Sequence, residues 1–256
     1  CDHNALEVRG AADCSGDGTL IRLLRQGKDM HAYNTRQFVG LSENNDIDDN
    51  LRFAVKTLFF ASLYQAFETK IADVIRKRFR DASLGVDDVR KILTLKNLDP
   101  KNKDPFFVLA KAWREWMFSH YRGLKQWHFR VKDQVSRTGQ IDSWFGFTRH
   151  LPDAQSTDTR AKEEAIRVAI NFRPQSLSLL SQVALRDLME MRGNSDDWRA
   201  MMQVHDSITL ICKKDIADQW AAVVRDVMEN DGIFKEFGTS FAVPLIAEVS
   251  LRPSWS

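Results

Sequence analysis

The chain has 256 residues, 43% of them apolar and 28% charged, a globular composition with enough length for a sizeable core and too little bias for disorder. Lys and Arg number 37 against 35 Asp and Glu, so a net charge of +2 neither demands nor forbids a polyanionic partner. Three scattered cysteines (Cys1, Cys14, Cys212) make no disulfide framework, no apolar run reaches the roughly 20 residues of a membrane span, and no leader pattern opens the chain; a soluble, cytoplasmic protein without membrane contact is expected.

In chain order, "CDHNALEVRG" reads as the end of a strand turning into a helix. "GDGTLIRLLRQGKDMHAYNTRQFVG" gives two short helices broken at Gly27. After the polar stretch "LSENNDIDDN", rich in caps, a long helical pattern runs from Leu51 to Ala82, as two helices in series. The charged segment around residues 80–104, with Pro100 and Pro105 as breakers, reads as a loop-rich insertion. A Trp-rich helical block follows to Gly139, and "QIDSWFGFTRHLPD" carries the turn signals of a hairpin. Helix returns from about Arg160 to Met191, with an interruption expected near Pro174. "WRAMMQVHDSITLIC" reads as a β-hairpin with an acid at its tip, before a helix and a last apolar strand, "FAVPLIAEVSL". The sum is an α+β chain, mostly helical, with a small antiparallel sheet.

Several residue sets carry chemistry. Arg52, Lys56, Phe60 and Tyr64 step by four along one helix, so they share a slowly drifting stripe, two cations and then two aromatics. Cations at the positive helix end suit a polyphosphate, and aromatics a turn or two on suit a flat base. The plain alternative is an amphipathic helix with its aromatics in the core. Asp2 and Asp206 flank apolar runs, and two carboxylates from separate strands can hold a pair of divalent ions for phosphoryl transfer; a hairpin Asp is also an ordinary turn former. His31 could reach phosphate or lie buried. Arg149 sits by a turn. Arg167, Asn171 and Gln175 step by four, a donor stripe fit for a minor groove or for solvent.

Taken together these segments resemble the family A DNA polymerases, the bacterial DNA polymerase I type also found in phages. "DHNALEVRGAADCSGDGTLIRLLRQGKDMHAY" is similar to the first palm motif, with Asp, Glu-x-Arg, Ser-Gly-Asp and Asp-x-His. "RFAVKTLFFASLY" resembles the Arg-x3-Lys-x3-Phe-x3-Tyr fingers helix, "RVAINFRPQS" the Arg-x3-Asn-x3-Gln helix, "MQVHDSITL" the last palm motif, and "FAVPLIAEVSLRPSW" the C-terminal strand. The resemblance implies a right-hand polymerase fold. Its parts would be palm over 1–40, fingers over 41–135 with the charged insertion, and palm again over 136–256, with thumb and exonuclease absent. It implies two Mg²⁺ ions, with Mn²⁺ as a substitute, bound by Asp2, Asp206 and the backbone carbonyl of His3. Arg52, Lys56 and His31 would hold the dNTP triphosphate, with Lys56 counted among the catalytic groups. Phe60 would pack on the incoming nucleotide, Tyr64 would stack at the template side, and Glu7, hydrogen-bonded to Tyr64, would exclude a 2′-OH. His205 would lie near the primer terminus, and Arg149, Arg167, Asn171 and Gln175 would contact primer–template DNA.

Three positions depart from the pattern: Ser207 stands where a Glu follows the hairpin Asp, Gln65 replaces a Gly after Tyr64, and Ala5 replaces a Gln. With the insertion, they suggest a divergent phage-type branch. A single-subunit RNA polymerase shares the "HDS" hairpin but has no use for an acidic gate at Glu7. A non-catalytic primer–template binding subunit is disfavoured by the intact aspartates and stripe. The expected partner is an N-terminal part carrying the thumb and a 3′–5′ exonuclease, as a separate chain or a spliced segment, with Cys1 as a split-intein junction. Without a strand ahead of Asp2, an open palm-sheet edge is expected.

Overall fold

A two-residue strand, β1 (Asp2–His3), lies between strands contributed from far along the chain in this computed structural model, which describes residues 1–64, 67–82, 84–192 and 197–253. Gln65 lies outside the described residues, as do Ser83 and residues 254–256 of the C-terminal motif. Three helices follow β1: α1 (Leu6–Ser15), α2 (Gly18–Arg25) and α3 (Met30–Val39). Asp17 and Asp29 start the second and third by accepting backbone N–H groups two and three residues on, and Gly27, at φ 63°, makes the break between them. Next come α4 (Asp49–Leu63) and α5 (Glu68–Asp81), the two helices in series.

The charged segment is loop only in part. It forms α6 (Val86–Leu95), started by the Asp88 carboxylate accepting the Gly85 N–H, with Val89, Ile92 and Leu93 buried. The spacing i, i+3, i+4 sets those three on one face, and the charges that suggested a loop cover the other. Then α7 (Pro105–His120) and α8 (Arg122–Thr138) lead into a hairpin of β2 (Gln140–Asp142) and β3 (Thr148–His150), as expected.

The interruption expected near Pro174 falls between Ser176 and Leu179. The helix α9 (Thr159–Ser176) continues through the proline and stops two residues later. Pro174 offers no N–H to the carbonyl four residues before it, and the helix does not outlast it by a full turn. After α10 (Leu179–Arg192) comes the hairpin of β4 (Trp198–Val204) and β5 (Ser207–Cys212), then α11 (Ala217–Met228) and α12 (Gly232–Glu236). The last apolar run is a strand only at β6 (Ala247–Glu248).

The main sheet is antiparallel in the order β4-β5-β1-β6. Asp2 sits opposite Ser207 on one side and Glu248 on the other. The expected edge is therefore an interior position, filled over its first residues, since the amide of Ile208 donates to the Cys1 carbonyl at 2.8 Å. Three apolar clusters hold the elements. The largest joins α1 to α9 around Trp113, Tyr121, Phe38 and Phe59. A second packs Leu6, Trp144, Phe145 and Phe234, and a third sets Trp198 on Trp220 behind the sheet, ring centroids 4.5 Å apart. No described helix is long and apolar enough to cross a membrane.

Candidate active site

The two aspartates meet. Asp2 is presented by β1, and Asp206 by the two-residue turn between β4 and β5, where His205 takes φ 54°. Backbone bonds fix their relation: the His3 amide donates to the Asp206 carbonyl at 3.2 Å, and the Asn4 amide to Ile246 at 2.8 Å. Ser181 of α10 anchors the turn by donating its hydroxyl to the His205 carbonyl, while Gln203 donates to both, each at 2.8 Å. Burial, then the neighbouring Asp206 carboxylate, pushes the Asp2 carboxyl above the ordinary range.

Both carboxylates open into a cleft of about 760 Å³. Its walls include Glu7 of α1, His31 of α3, and Arg52, Lys56 and Phe60 of α4, with His205 beside Asp206. Asp29, the cap of α3, receives two hydrogen bonds from the Arg52 guanidinium, at 2.7 and 3.1 Å. Although burial raises the Asp29 carboxyl, these and the helix amides hold it below its usual range. Lys56 has no carboxylate partner among the described residues. The His31 ring lies 5.6 Å from Phe60, and burial, then Lys56, pushes its pKa down to about 4.

Glu7 does not reach Tyr64. The expected hydrogen bond is absent, and the Tyr64 hydroxyl is buried without a partner among the described residues. The left-handed turn instead aims the His205 imidazole at Glu7, 3.8 Å away, and at Asp206, 3.0 Å away. Burial raises the Glu7 carboxyl, His205 lowers it, and Asp206 raises it again, for a net rise. Tyr64 ends α4 and packs against the main core, outside the cleft lining. Ser207, opposite Asp2, donates its hydroxyl back to the Val204 carbonyl.

The remaining predicted residues gather elsewhere. Arg167, Asn171 and Gln175 lie along α9, and the Arg149 guanidinium from β3 lies 5.8 Å over Phe172 of the same helix. Arg167 is ion-paired to Glu164, Gln175 is exposed, and the Asn171 Oδ1 is buried without a partner among the described residues. None of the four lines the cleft. Sequence reasoning missed Asp29 as the partner of Arg52, and Ser181 with Gln203 as anchors of the turn. Asp29 carried a signal in its cap position; the Ser181 contact joins distant segments and carried none. Glu248 faces Asp2 across the strands and accepts from the Asn4 side chain.

Hard carboxylate oxygens suit a hard divalent cation. Among the described residues no cluster of three or more acidic, His or Cys side chains forms a closed cage. One or two carboxylates can nonetheless hold a divalent cation together with substrate phosphates.

A short antiparallel sheet bearing two adjacent carboxylates, faced by a helix that projects cations into the cleft, has the architecture of a polymerase domain. The fold matches the polymerase domain of Pol1 from M. smegmatis, solved in complex with DNA primer-template and dNTP, with a TM-score of 0.71 and 20% identity over 95% of this chain and 37% of that one. The family model described as DNA polymerase family A matches residues 108–256, and the chain belongs to that family. It is 27% identical to the thermostable DNA polymerase I of Thermus thermophilus over 99% of this chain and 26% of the relative. Identity to the DNA polymerase I of Deinococcus radiodurans is 25%, over 99% and 23%. The chain thus spans about a quarter of the length of the curated relatives it matches.

Proposed function

We propose that this chain is the catalytic portion of a template-directed DNA polymerase, adding dNTPs to a primer 3′-OH. The observation that carries the reading is the facing of Asp2 and Asp206 across one cleft by Arg52, Lys56 and His31. Asp2, Asp206 and the His3 carbonyl would hold divalent ions, Mg²⁺ or Mn²⁺. Such ions, when bound, lower the pKa of an attacking hydroxyl and neutralise a leaving pyrophosphate.

The chain's own residues then divide the work. Lys56 meets the triphosphate as a free point charge, and Arg52 reaches it by exchanging Asp29 for phosphate. His31, neutral at physiological pH, donates a hydrogen bond rather than adding charge. Phe60 supplies a surface for the incoming nucleotide, and Tyr64 ends the same helix at the template side. Glu7 closes the sugar side of the cleft, held by His205 near the primer terminus. Arg149, Arg167, Asn171 and Gln175 track the primer–template duplex. Palm (1–40, 136–256) and fingers (41–135) are the corresponding parts. The relatives extend well past the matched quarter, so we assign thumb and proofreading functions to polypeptide outside these residues, in a cytoplasmic enzyme.

Primer extension with Mg²⁺ tests the reading. Extension with dNTPs is expected, and Asp206→Ala should abolish it while primer–template binding persists. Full binding with no extension would sink the enzymatic reading; extension with rNTPs alone would sink the choice of DNA.

A further inference from the structure

The helix α8 turns one face to the core, through Leu124, Trp127, Val131 and Val135, and a different kind of face to solvent. Phe129 stands there 71% exposed, the most exposed of the large apolar side chains among the described residues. Around it, Arg122, Lys125 and Lys132 occupy positions seven and four residues before and three after. On a 3.6-residue helix these place all four side chains within one stripe less than about 90° wide. The stripe is about 15 Å long, at 1.5 Å per residue. All three cations are exposed, and no described carboxylate pairs with any of them. The only acid on the helix, Asp133, is occupied by Arg137 at 2.7 Å. No described aromatic ring or cation covers the faces of Phe129.

A solvated helix face has no need of a bare phenyl ring, and a protein-docking face is rarely ringed by unpaired cations alone. One aromatic between regularly spaced cations suits a partner with a flat apolar surface and a negative charge on each unit. We propose that this face of α8 binds an unpaired nucleic-acid strand, with a base stacked on Phe129 and phosphates on Arg122, Lys125 and Lys132. Stacked nucleotides repeat at about 3.4 Å along a strand, so the stripe accommodates roughly four of them. Its residues do not line the carboxylate cleft, so the site is additional to the one proposed for nucleotidyl transfer. A duplex, with its bases already stacked in pairs, offers no free face to Phe129.

Fluorescence anisotropy with a labelled 12-nucleotide oligo(dT), without dNTP or metal, tests this separately from primer extension. Phe129→Ala should weaken oligo(dT) binding about tenfold and change blunt-duplex affinity less than twofold, while Phe129→Tyr retains binding. Lys125→Ala with Lys132→Ala should flatten the dependence of log K on log salt by about 1.4, from 0.7 per lost phosphate contact. Lys77→Ala, on the exposed side of α5, should change neither quantity. Thermal melting of each variant, expected unchanged for these exposed positions, checks folding. Unaltered oligo(dT) binding in Phe129→Ala, or an equal loss for duplex, would overturn the proposal. So would a Phe129→Ala that only changes the sedimentation coefficient, which would give the face to a second copy of the chain.

Discussion

His205 holds a left-handed backbone so that its ring reaches both Glu7 and Asp206, and this single conformation sets the Glu7 side of the cleft. Glu7 is tied there to a histidine instead of a tyrosine. Glu7→Ala should therefore relax the preference for deoxynucleotides, with the dNTP-to-rNTP ratio of kcat/KM falling at least tenfold, read by single-nucleotide incorporation. An unchanged ratio would remove Glu7 from sugar selection. Asp2 faces Glu248 directly across the strands and lies against Asp206. Like charges directly opposed in a sheet cost up to about 1 kcal/mol. Asp2→Asn should thus abolish extension and yet raise the melting temperature at pH 7 by roughly 2–4 °C without metal. A fall in melting temperature would mean that the carboxylate stabilises the sheet. The aspartates were legible because their motifs are local, whereas the His205–Glu7 contact depends on a turn conformation that residue types alone do not specify.

Helices show where local reading succeeds and where it fails. The cap residues Asp17, Asp29 and Asp48 fix the starts of α2, α3 and α4 locally, since a cap bonds within three residues of itself. The helix α6 was hidden because Asp87, Asp88, Arg90 and Lys91 sit between its apolar residues, although Val89, Ile92 and Leu93 keep helical spacing. If α6 is core, Leu93→Ala should cost about 2–5 kcal/mol in urea unfolding; a solvated insertion would lose under about 0.5 kcal/mol. The joint between α2 and α8 gives a second test. Gly123 donates its amide to Asp17 at 2.8 Å, and a Cβ there would lie 2.8 Å from the Asp17 backbone. Gly123→Ala should destabilise by about 1–3 kcal/mol through forced displacement of the α2 cap. The glycine is visible in sequence, but its neighbour 106 positions away is not.

Over the whole molecule, histidines buried in neutral form link stability to pH. His128 is enclosed against Phe118 and Trp127 with its Nε2 3.1 Å from the Leu63 carbonyl, and burial pushes its pKa down to about 4. As pH falls below 6.5, the unfolded chain takes up a proton that the folded one refuses, so stability drops between pH 6.5 and 4. At pH 5 the loss from this residue is about 2 kcal/mol. His128→Gln should therefore cost more at pH 7 than at pH 5, in urea titrations at both. A constant difference would mean that His128 protonates freely in the fold.

The node at β1 has a consequence in time. Asp2 is held by Ser207 on one side and Glu248 on the other, residues separated from it by nearly the full length of the chain. Closing so long a loop is entropically costly and kinetically late. Helices α1 to α8 can form from local contacts as they leave the ribosome, while the strand pairing that brings the two aspartates together waits for β5 to be synthesised. A nascent chain stalled before β5 would carry Asp2 and the helices that wall the cleft and still lack the assembled pair, because Asp206 arrives only with the β4–β5 turn.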